Sequence, residues 1–146
     1  MNLLTVIQIS VDPSVHLTYG EGPRGSPRLK KALASLFNSY FRAYKAVLEN
    51  EILVFPGAVA VLDALAWSIC DEGDGIIVPL PFYMGFKPAV GERSRAVLIP
   101  ASFQSVKGYQ DFDDIFEPEM NRKALENALS KATQDGVRVR AVMLCK

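Results

Sequence analysis

Apolar positions along the chain follow two patterns, which predict helices alternating with short strands. Over residues 26–47, "SPRLKKALASLFNSYFRAYKAV" repeats apolar residues at three- and four-residue steps, as one face of an amphipathic helix does. Ser26 suits the N-cap of this helix and Pro27 its first turn. Further helices are predicted over "AVAVLDALAWSIC" and over "NRKALENALSKATQ", the latter capped by Asn121 and followed by Gly136.

Short apolar runs predict strands that alternate with these helices, and we read "EILVFP" and "IIVPLP" as buried. The four runs are "EILVFP", "IIVPLP", "RAVLIPA" and the final "VRVRAVMLCK". Strands that are apolar throughout are typical of a parallel sheet covered by helices on both faces. We therefore predict an α/β fold, a partial three-layer α/β/α arrangement around a mostly parallel sheet. Between these elements, "FYMGFKPAVG" reads as a short helix or irregular segment, and "SFQSVKGYQDFDDIFEPEM" as a long surface loop.

Composition narrows the class of protein. The chain has 146 residues, no net charge and 49% hydrophobic residues, which fits one globular domain and gives no reason to expect nucleic acid or an acidic membrane as partner. No apolar run reaches the roughly 18 residues of a membrane span, and the first residues lack the basic flank and cleavage site of a signal peptide. Cys70 and Cys145 lie in apolar segments, so we predict two buried thiols in a reducing compartment, the cytoplasm.

Two polar features could suggest chemistry, and for both we favour a solvated surface. The acidic side chains of the predicted loop lack the glycine and terminal glutamate of a calcium loop; they are Asp111, Asp113, Asp114, Glu117 and Glu119. Lys131 closes the sequence "ALSK", but it falls on the polar side of its helix. A lysine that forms a Schiff base needs burial or a cationic neighbour, and nothing in the sequence suggests either for Lys131.

Two stretches could form a binding site at the carboxyl edge of the sheet. In "ILVFPGAVAVLDAL" a strand breaks at Gly57 and a helix begins at once, so free backbone N–H groups and the helix dipole could hold an anion. In "IIVPLPFYMGF", Tyr83 follows the next strand and could stack on a planar ring. Taken singly, each stretch is better explained by a bland alternative: an ordinary glycine turn, and aromatic residues that close the core.

Five motifs in register carry a family resemblance. They are Tyr19 with Gly25 and Leu29-Lys30; Gly57, Ala58 and Val59; Gly73-Asp74; Pro81-Phe82-Tyr83; and the final "VRAVMLCK". In this order and spacing they resemble class I/II aminotransferases, the pyridoxal-phosphate enzymes of fold type I. Within this family, the motifs most resemble those of the group similar to 1-aminocyclopropane-1-carboxylate synthase.

The resemblance implies a cofactor, pyridoxal 5'-phosphate, and roles for particular residues. Gly57, Ala58 and Val59 would bind the cofactor phosphate, although Val59 replaces a hydroxyl residue that relatives often have. Tyr83 would stack on the pyridine ring. Tyr19 would reach across a homodimer to the cofactor of the partner. The substrate class implied is amino acids, and transamination and α,γ-elimination both stay open.

The matched region is 17–146, which corresponds to part of the family's large, cofactor-binding domain; residues 1–16 are atypical. The chain stops before the family's asparagine motif, the aspartate for the pyridine nitrogen, the Schiff-base lysine and the substrate-binding arginine. We therefore assign no catalytic residue and expect this fragment not to be catalytic in isolation. Two alternatives stay open: a non-catalytic truncated product, and a small phosphate- or nucleotide-binding α/β module.

Overall fold

The computed structural model describes residues 12–18, 22, 24–41 and 43–145. The chain divides into two units, Met1–Phe55 and Pro56–Lys146. The helices within the described ranges are α1 (Pro13–His16), α2 (Pro27–Tyr40), α3 (Ala58–Ile69), α4 (Phe86–Ser94) and α5 (Pro118–Gln134). The strands are β1 (Gly75–Pro79), β2 (Val97–Ala101) and β3 (Val139–Val142).

The first unit is built on helix α2. Ser26 caps this helix as predicted, its hydroxyl accepting from the N–H of Leu29 at 3.5 Å, and Pro27 lies in the first turn. The helix ends at Tyr40, earlier than the apolar repeat predicted. The side-chain amide of Asn38 explains the early end, because it accepts from the N–H of Val47 at 2.8 Å and donates to the carbonyl of Val47 at 3.0 Å. These two bonds turn the chain back beside the helix.

The strand predicted over "EILVFP" was wrong. Glu49–Glu51 form a 3-10 helix, and residues 52–55 have no regular secondary structure. The Glu51 carboxylate accepts from the N–H of Leu48 at 2.9 Å and pairs with Lys45 at 3.4 Å, which stabilises the turn. The apolar run is compatible with a strand, but no strand in the described ranges pairs with it.

The second unit contains a parallel sheet in the order β2-β1-β3. Successive side chains of the central strand β1 pack on opposite faces of the sheet. Ile77 packs in a cluster with Ala124 and Ala128 of α5, whereas Ile76 packs with Ala66 of α3 and Val90 of α4. The predicted partial three-layer α/β/α fold with a parallel sheet is thereby confirmed.

The predicted long surface loop between β2 and α5 was wrong in part. Phe103 and Val106 are buried against α5, because they cover the apolar end of the sheet beyond β2. Phe112–Phe116 form a 3-10 helix, and α5 begins at Pro118 rather than after Asn121. The Asn121 amide instead donates to the carbonyls of Ile115, at 2.6 Å, and of Glu117, at 3.1 Å.

Two of the acidic residues in this segment accept hydrogen bonds from its backbone N–H groups. The carboxylate of Asp111 accepts from the N–H of Asp113 at 3.0 Å. That of Asp114 accepts from the N–H groups of Gln110, at 2.6 Å, and of Asp111, at 3.3 Å. These bonds fold the segment into its 3-10 helix, which gives the two carboxylates a structural role.

The prediction that both thiols are buried holds for neither cysteine. Cys145 is exposed, because it follows the end of β3, where the sheet no longer covers the chain. Cys70 is partly buried at the end of α3, and that burial raises the pKa of its thiol. Both are free thiols. Among the described helices, none is long and apolar enough to cross a membrane.

A buried carboxylate joins the amino-terminal ends of β1 and β3. Asp74 is 4% exposed, and its Oδ1 and Oδ2 each lie 2.9 Å from the guanidinium of Arg138, at Nε and Nη2. Oδ2 also accepts from the N–H of Asp71 at 2.9 Å. The bond from Arg138, and then that from Asp71, hold the pKa of Asp74 below its usual range.

We predict that Asp74→Asn destabilises the protein at neutral pH and that the difference shrinks in acid. A carboxylate whose pKa is lower in the folded than in the unfolded protein stabilises the fold at any pH above the unfolded-state pKa, about 3.9. That stabilisation is lost as the pH falls through the folded-state pKa. Urea denaturation at pH 7 and at steps below about pH 4 measures the difference.

Asp71→Asn is the matched control, because Asp71 contacts the same guanidinium at 2.6 Å but its side chain is 83% exposed. We expect this variant to change stability little at any pH, as exposed ion pairs contribute little. A difference between Asp74→Asn and wild type that stays constant from neutral to acid pH would contradict the assignment.

Candidate functional site

Helix α3 begins at an open glycine turn. Gly57 has φ 99° and ψ 167°, a region that essentially glycine alone occupies, and a Cβ added there would meet no atom within 4 Å. As the N-cap residue, Gly57 has no side chain with which to bond the N–H groups of the first turn. The carbonyl of Gly57 accepts from the N–H of Val61 at 3.4 Å, the first hydrogen bond of the helix. The N–H groups that precede Val61 in the first turn therefore have no carbonyl of the helix to bond.

Val59 and Tyr83, predicted as site residues from separate stretches, line the same cavity. The cavity measures about 750 Å³, within the roughly 300–1,000 Å³ of small-molecule sites. Val59 is 61% exposed and Tyr83 is 69% exposed, so both can contact a ligand. The other lining residues come from the start of α3 and from α4: Pro56, Ala60, Asp63, Gly85, Pro88, Ala89, Glu92 and Arg93.

Tyr83 is held by the turn that leads into α4. Its carbonyl accepts from the N–H of Phe86 at 3.0 Å. The two rings meet edge to face, with centroids 5.7 Å apart and planes at 85°. The alternative that Tyr83 closes the core does not fit its exposure, whereas Phe86 is partly buried. The ring of Tyr83 is therefore available at the cavity wall.

An ion pair closes the far side of the cavity, and sequence reasoning missed it. Arg93 of α4 lies 3.1 Å from the carboxylate of Asp63 on α3, and its guanidinium carbon lies 4.9 Å from the ring centre of Trp67. Asp63 lies in a predicted helix, but Arg93 lies just after the segment "FYMGFKPAVG", outside every predicted element, and nothing in the sequence showed that the two side chains meet. Asp63 neutralises Arg93, and Glu92 adds a negative charge to the lining, so an anion is better accommodated at the start of α3.

The remaining predicted residues fall into three groups. Gly57 and Ala58 are exposed and lie between the lining residues Pro56 and Val59. Tyr19 lies outside the described residues. Lys131 is exposed on α5, which packs on the sheet face opposite to α3 and α4, so it is not part of this cavity.

Comparison with known proteins identifies the family. The model of aminotransferase class I and II matches residues 15–146. The chain belongs to this aminotransferase family. The resemblance stated from the five sequence motifs is confirmed.

Two curated relatives show how much of an aminotransferase-family protein this chain spans. Aminotransferase verI of Clonostachys rogersoniana is 33% identical over 134 residues, which are 90% of this chain and 28% of that protein. 1-Aminocyclopropane-1-carboxylate synthase 1 of Oryza sativa subsp. indica is 31% identical over 121 residues, 82% of this chain and 23% of the relative. The chain thus spans less than a third of the length of these relatives.

The fold has a counterpart among aminotransferases of known structure. The crystal structure of kynurenine aminotransferase from Pyrococcus horikoshii aligns with a TM-score of 0.57 and 20% identity, over 86% of this chain and 27% of that protein. At this identity the likeness shows the fold alone. It supports the α/β architecture in which α3 and α4, the helices that line the cavity, pack on one face of the sheet.

We predict that Gly57→Ala destabilises the protein even though the added methyl group meets open space. The backbone at φ 99° and ψ 167° is strained for any residue with a Cβ, at a cost of about 1–3 kcal/mol. Urea denaturation measures the loss. Gly91→Ala within α4 is the control, because its backbone is helical. The added Cβ would lie 3.3 Å from the carbonyl oxygen of Ala96, which a shift of a few tenths of an ångström relieves, so we expect a change of at most about 1 kcal/mol. Equal stability of Gly57→Ala and wild type would show that this turn is not held as described.

Proposed function

We propose that the protein binds pyridoxal 5'-phosphate, with the phosphate at the start of α3 and the pyridine ring against Tyr83. The observation that carries the proposal is that Val59 and the exposed ring of Tyr83 line one cavity, and that Val59 lies in the first turn of a helix whose N-cap, Gly57, has no side chain to bond the first N–H groups. Backbone N–H groups at a helix start suit a phosphate, and an exposed aromatic face suits a planar heterocycle. The residues present therefore fit the cofactor that the family implies.

Each residue has a separate task in this proposal. Gly57 has no Cβ, so the backbone can approach the phosphate closely, and the N–H groups of Ala58 and Val59 donate to it. Val59 supplies no hydroxyl, so at this position only the backbone donates. Tyr83 covers one face of the pyridine ring and limits its rotation. The cofactor, when bound, supplies an electron sink for chemistry at the α-carbon of an amino acid.

The wider proposal is a pyridoxal-phosphate-dependent enzyme that acts on amino acids, by transamination or α,γ-elimination. Family membership supports it, as does the sequence similarity to an aminotransferase and to a 1-aminocyclopropane-1-carboxylate synthase. A homodimer, in which Tyr19 contacts the partner's cofactor, and a cytoplasmic location belong to the same proposal. The free thiols of Cys70 and Cys145 are consistent with a reducing compartment.

Titration of the purified protein with pyridoxine 5'-phosphate tests the proposed site. This probe has the ring and phosphate but no aldehyde, so it does not react with exposed lysines such as Lys131. We expect Tyr83→Ala to weaken binding roughly two- to twelvefold, as loss of about 0.5–1.5 kcal/mol of ring stacking implies. Isothermal calorimetry measures the affinity.

Tyr44→Ala is the matched control, because Tyr44 is a fully exposed tyrosine in the first unit, and its loss should leave the affinity unchanged. Competition by inorganic phosphate, and weaker binding of pyridoxine, would place the phosphate in the site. Absence of binding, or binding that Tyr83→Ala does not weaken, would overturn the proposal. Tight binding of a nucleotide instead would select a phosphate-binding module without pyridoxal chemistry.

A gain in affinity gives an independent test. Val59→Thr keeps the shape of the side chain and places a hydroxyl donor in the first turn of α3, beside the proposed phosphate. Because a hydrogen bond to a charged group contributes about 1.5–3 kcal/mol, we expect tighter binding of pyridoxine 5'-phosphate, by roughly ten- to a hundredfold. Pyridoxine, which lacks the phosphate, should gain nothing. An equal gain for both probes, or none for either, would place the phosphate elsewhere.

A further inference from the structure

Gly85 has no conformational reason to be glycine. Its dihedrals are φ −66° and ψ −10°, ordinary helical values that alanine adopts readily. Its carbonyl accepts from the N–H of Ala89 at 3.3 Å, so it already belongs to the first turn of α4. The absence of a side chain at this position must therefore be explained by what surrounds it.

The ring of Tyr83 occupies the space that a side chain at Gly85 would need. A Cβ added there would overlap Cε1 of Tyr83, and would lie 2.8 Å from Cζ and 3.1 Å from Cδ1. These distances are shorter than non-bonded carbon contacts, which are about 3.5–4.0 Å. The Cε1–Cζ edge of the ring thus packs on the backbone of Gly85, and Phe86 meets the same ring edge to face.

The ring has enough freedom to move if this contact is lost. Tyr83 is 69% exposed, so few neighbours hold it from the solvent side. A methyl group at Gly85 would turn the ring away while leaving the backbone of α4 in place. Such a change alters the wall of the cavity that contains Val59 and Tyr83.

We propose that Gly85 is a positioning residue: its missing side chain lets the Tyr83 ring pack on the backbone and so fixes the ring at the cavity wall. The consequence for cofactor binding rests on the proposed function. Gly85 itself lines the cavity, but it has no side chain with which to bind a ligand. Its effect is therefore exerted through the tyrosine.

The first experiment reads the ring itself, without any ligand. The five tyrosines of the chain are replaced by 3-fluorotyrosine, and Tyr83→Phe assigns the resonance of residue 83 in the fluorine NMR spectrum. We expect Gly85→Ala to shift this resonance, because the ring leaves its contact with the backbone and with Phe86. Gly91→Ala, the same substitution later in α4, should leave it unchanged. An unchanged resonance in Gly85→Ala would overturn the proposal.

The second experiment is a double-mutant cycle with pyridoxine 5'-phosphate. Gly85→Ala should weaken binding about as much as Tyr83→Ala does, roughly two- to twelvefold. In the Tyr83→Ala background, Gly85→Ala should have no further effect, because the ring through which it acts is gone. An equal loss in both backgrounds would show that Gly85 acts by another route and would overturn the positioning role.

The two experiments separate this inference from the proposed function. If the wild-type protein does not bind the probe, the proposed function fails. The fluorine spectrum then still decides the placement of the ring: a shift in Gly85→Ala supports it and an unchanged resonance overturns it.

Discussion

The contact between Asp74 and Arg138 is the constraint on which the second unit depends. A carboxylate that is 4% exposed must be paired, and Arg138 pairs it at two points, 64 residues further along the chain. The pair aligns β1 with β3, and the N–H of Gly75 donates to the carbonyl of Arg138 at 2.8 Å beside it. Residues far apart in sequence thereby become neighbours in one parallel sheet.

The same cluster fixes the elements that form the cavity. Arg140, which lies 3.7 Å from Asp74, donates to the carbonyl of Ile69 at 2.7 Å and so holds the end of α3. Strand β1 starts at the cluster and leads through Pro79 to Tyr83. One end of α3 and one end of β1 are thus tied together at the amino edge of the sheet. Their other ends, at Gly57 and beyond Pro79, are thereby placed near one another, where Val59 and Tyr83 line the cavity.

Sequence reasoning succeeded where the local pattern alone determines the structure. The cap at Ser26, the buried strand β1, the partly exposed strand β2 and the glycine turn before α3 follow from periodicity and residue type. It failed where distant residues decide. The run "EILVFP" has the composition of a strand but no strand partner in the described ranges, and Phe103 and Val106 sit in a polar segment but are buried against α5.

The candidate site shows the same division. Gly57 and Tyr83 could be picked out from their positions after apolar runs, and the family resemblance joined them. The pair Asp63–Arg93 could not be found, because it depends on how α3 packs on α4. Gly85 could not be found either, because its helical backbone gives no sign in the sequence that the Tyr83 ring needs its space. Both follow from packing rather than from residue type.

The central claim is that the start of α3 and the Tyr83 ring together form one site for a phosphorylated planar ligand. A crystal structure of the protein with pyridoxine 5'-phosphate tests it most directly. We predict phosphate oxygens within hydrogen-bonding distance of the N–H groups of Ala58 and Val59, and the pyridine ring against the face of Tyr83. A ligand bound away from both, for example in the cleft beside Trp67 and Cys70 near the amino edge of the sheet, would contradict the account.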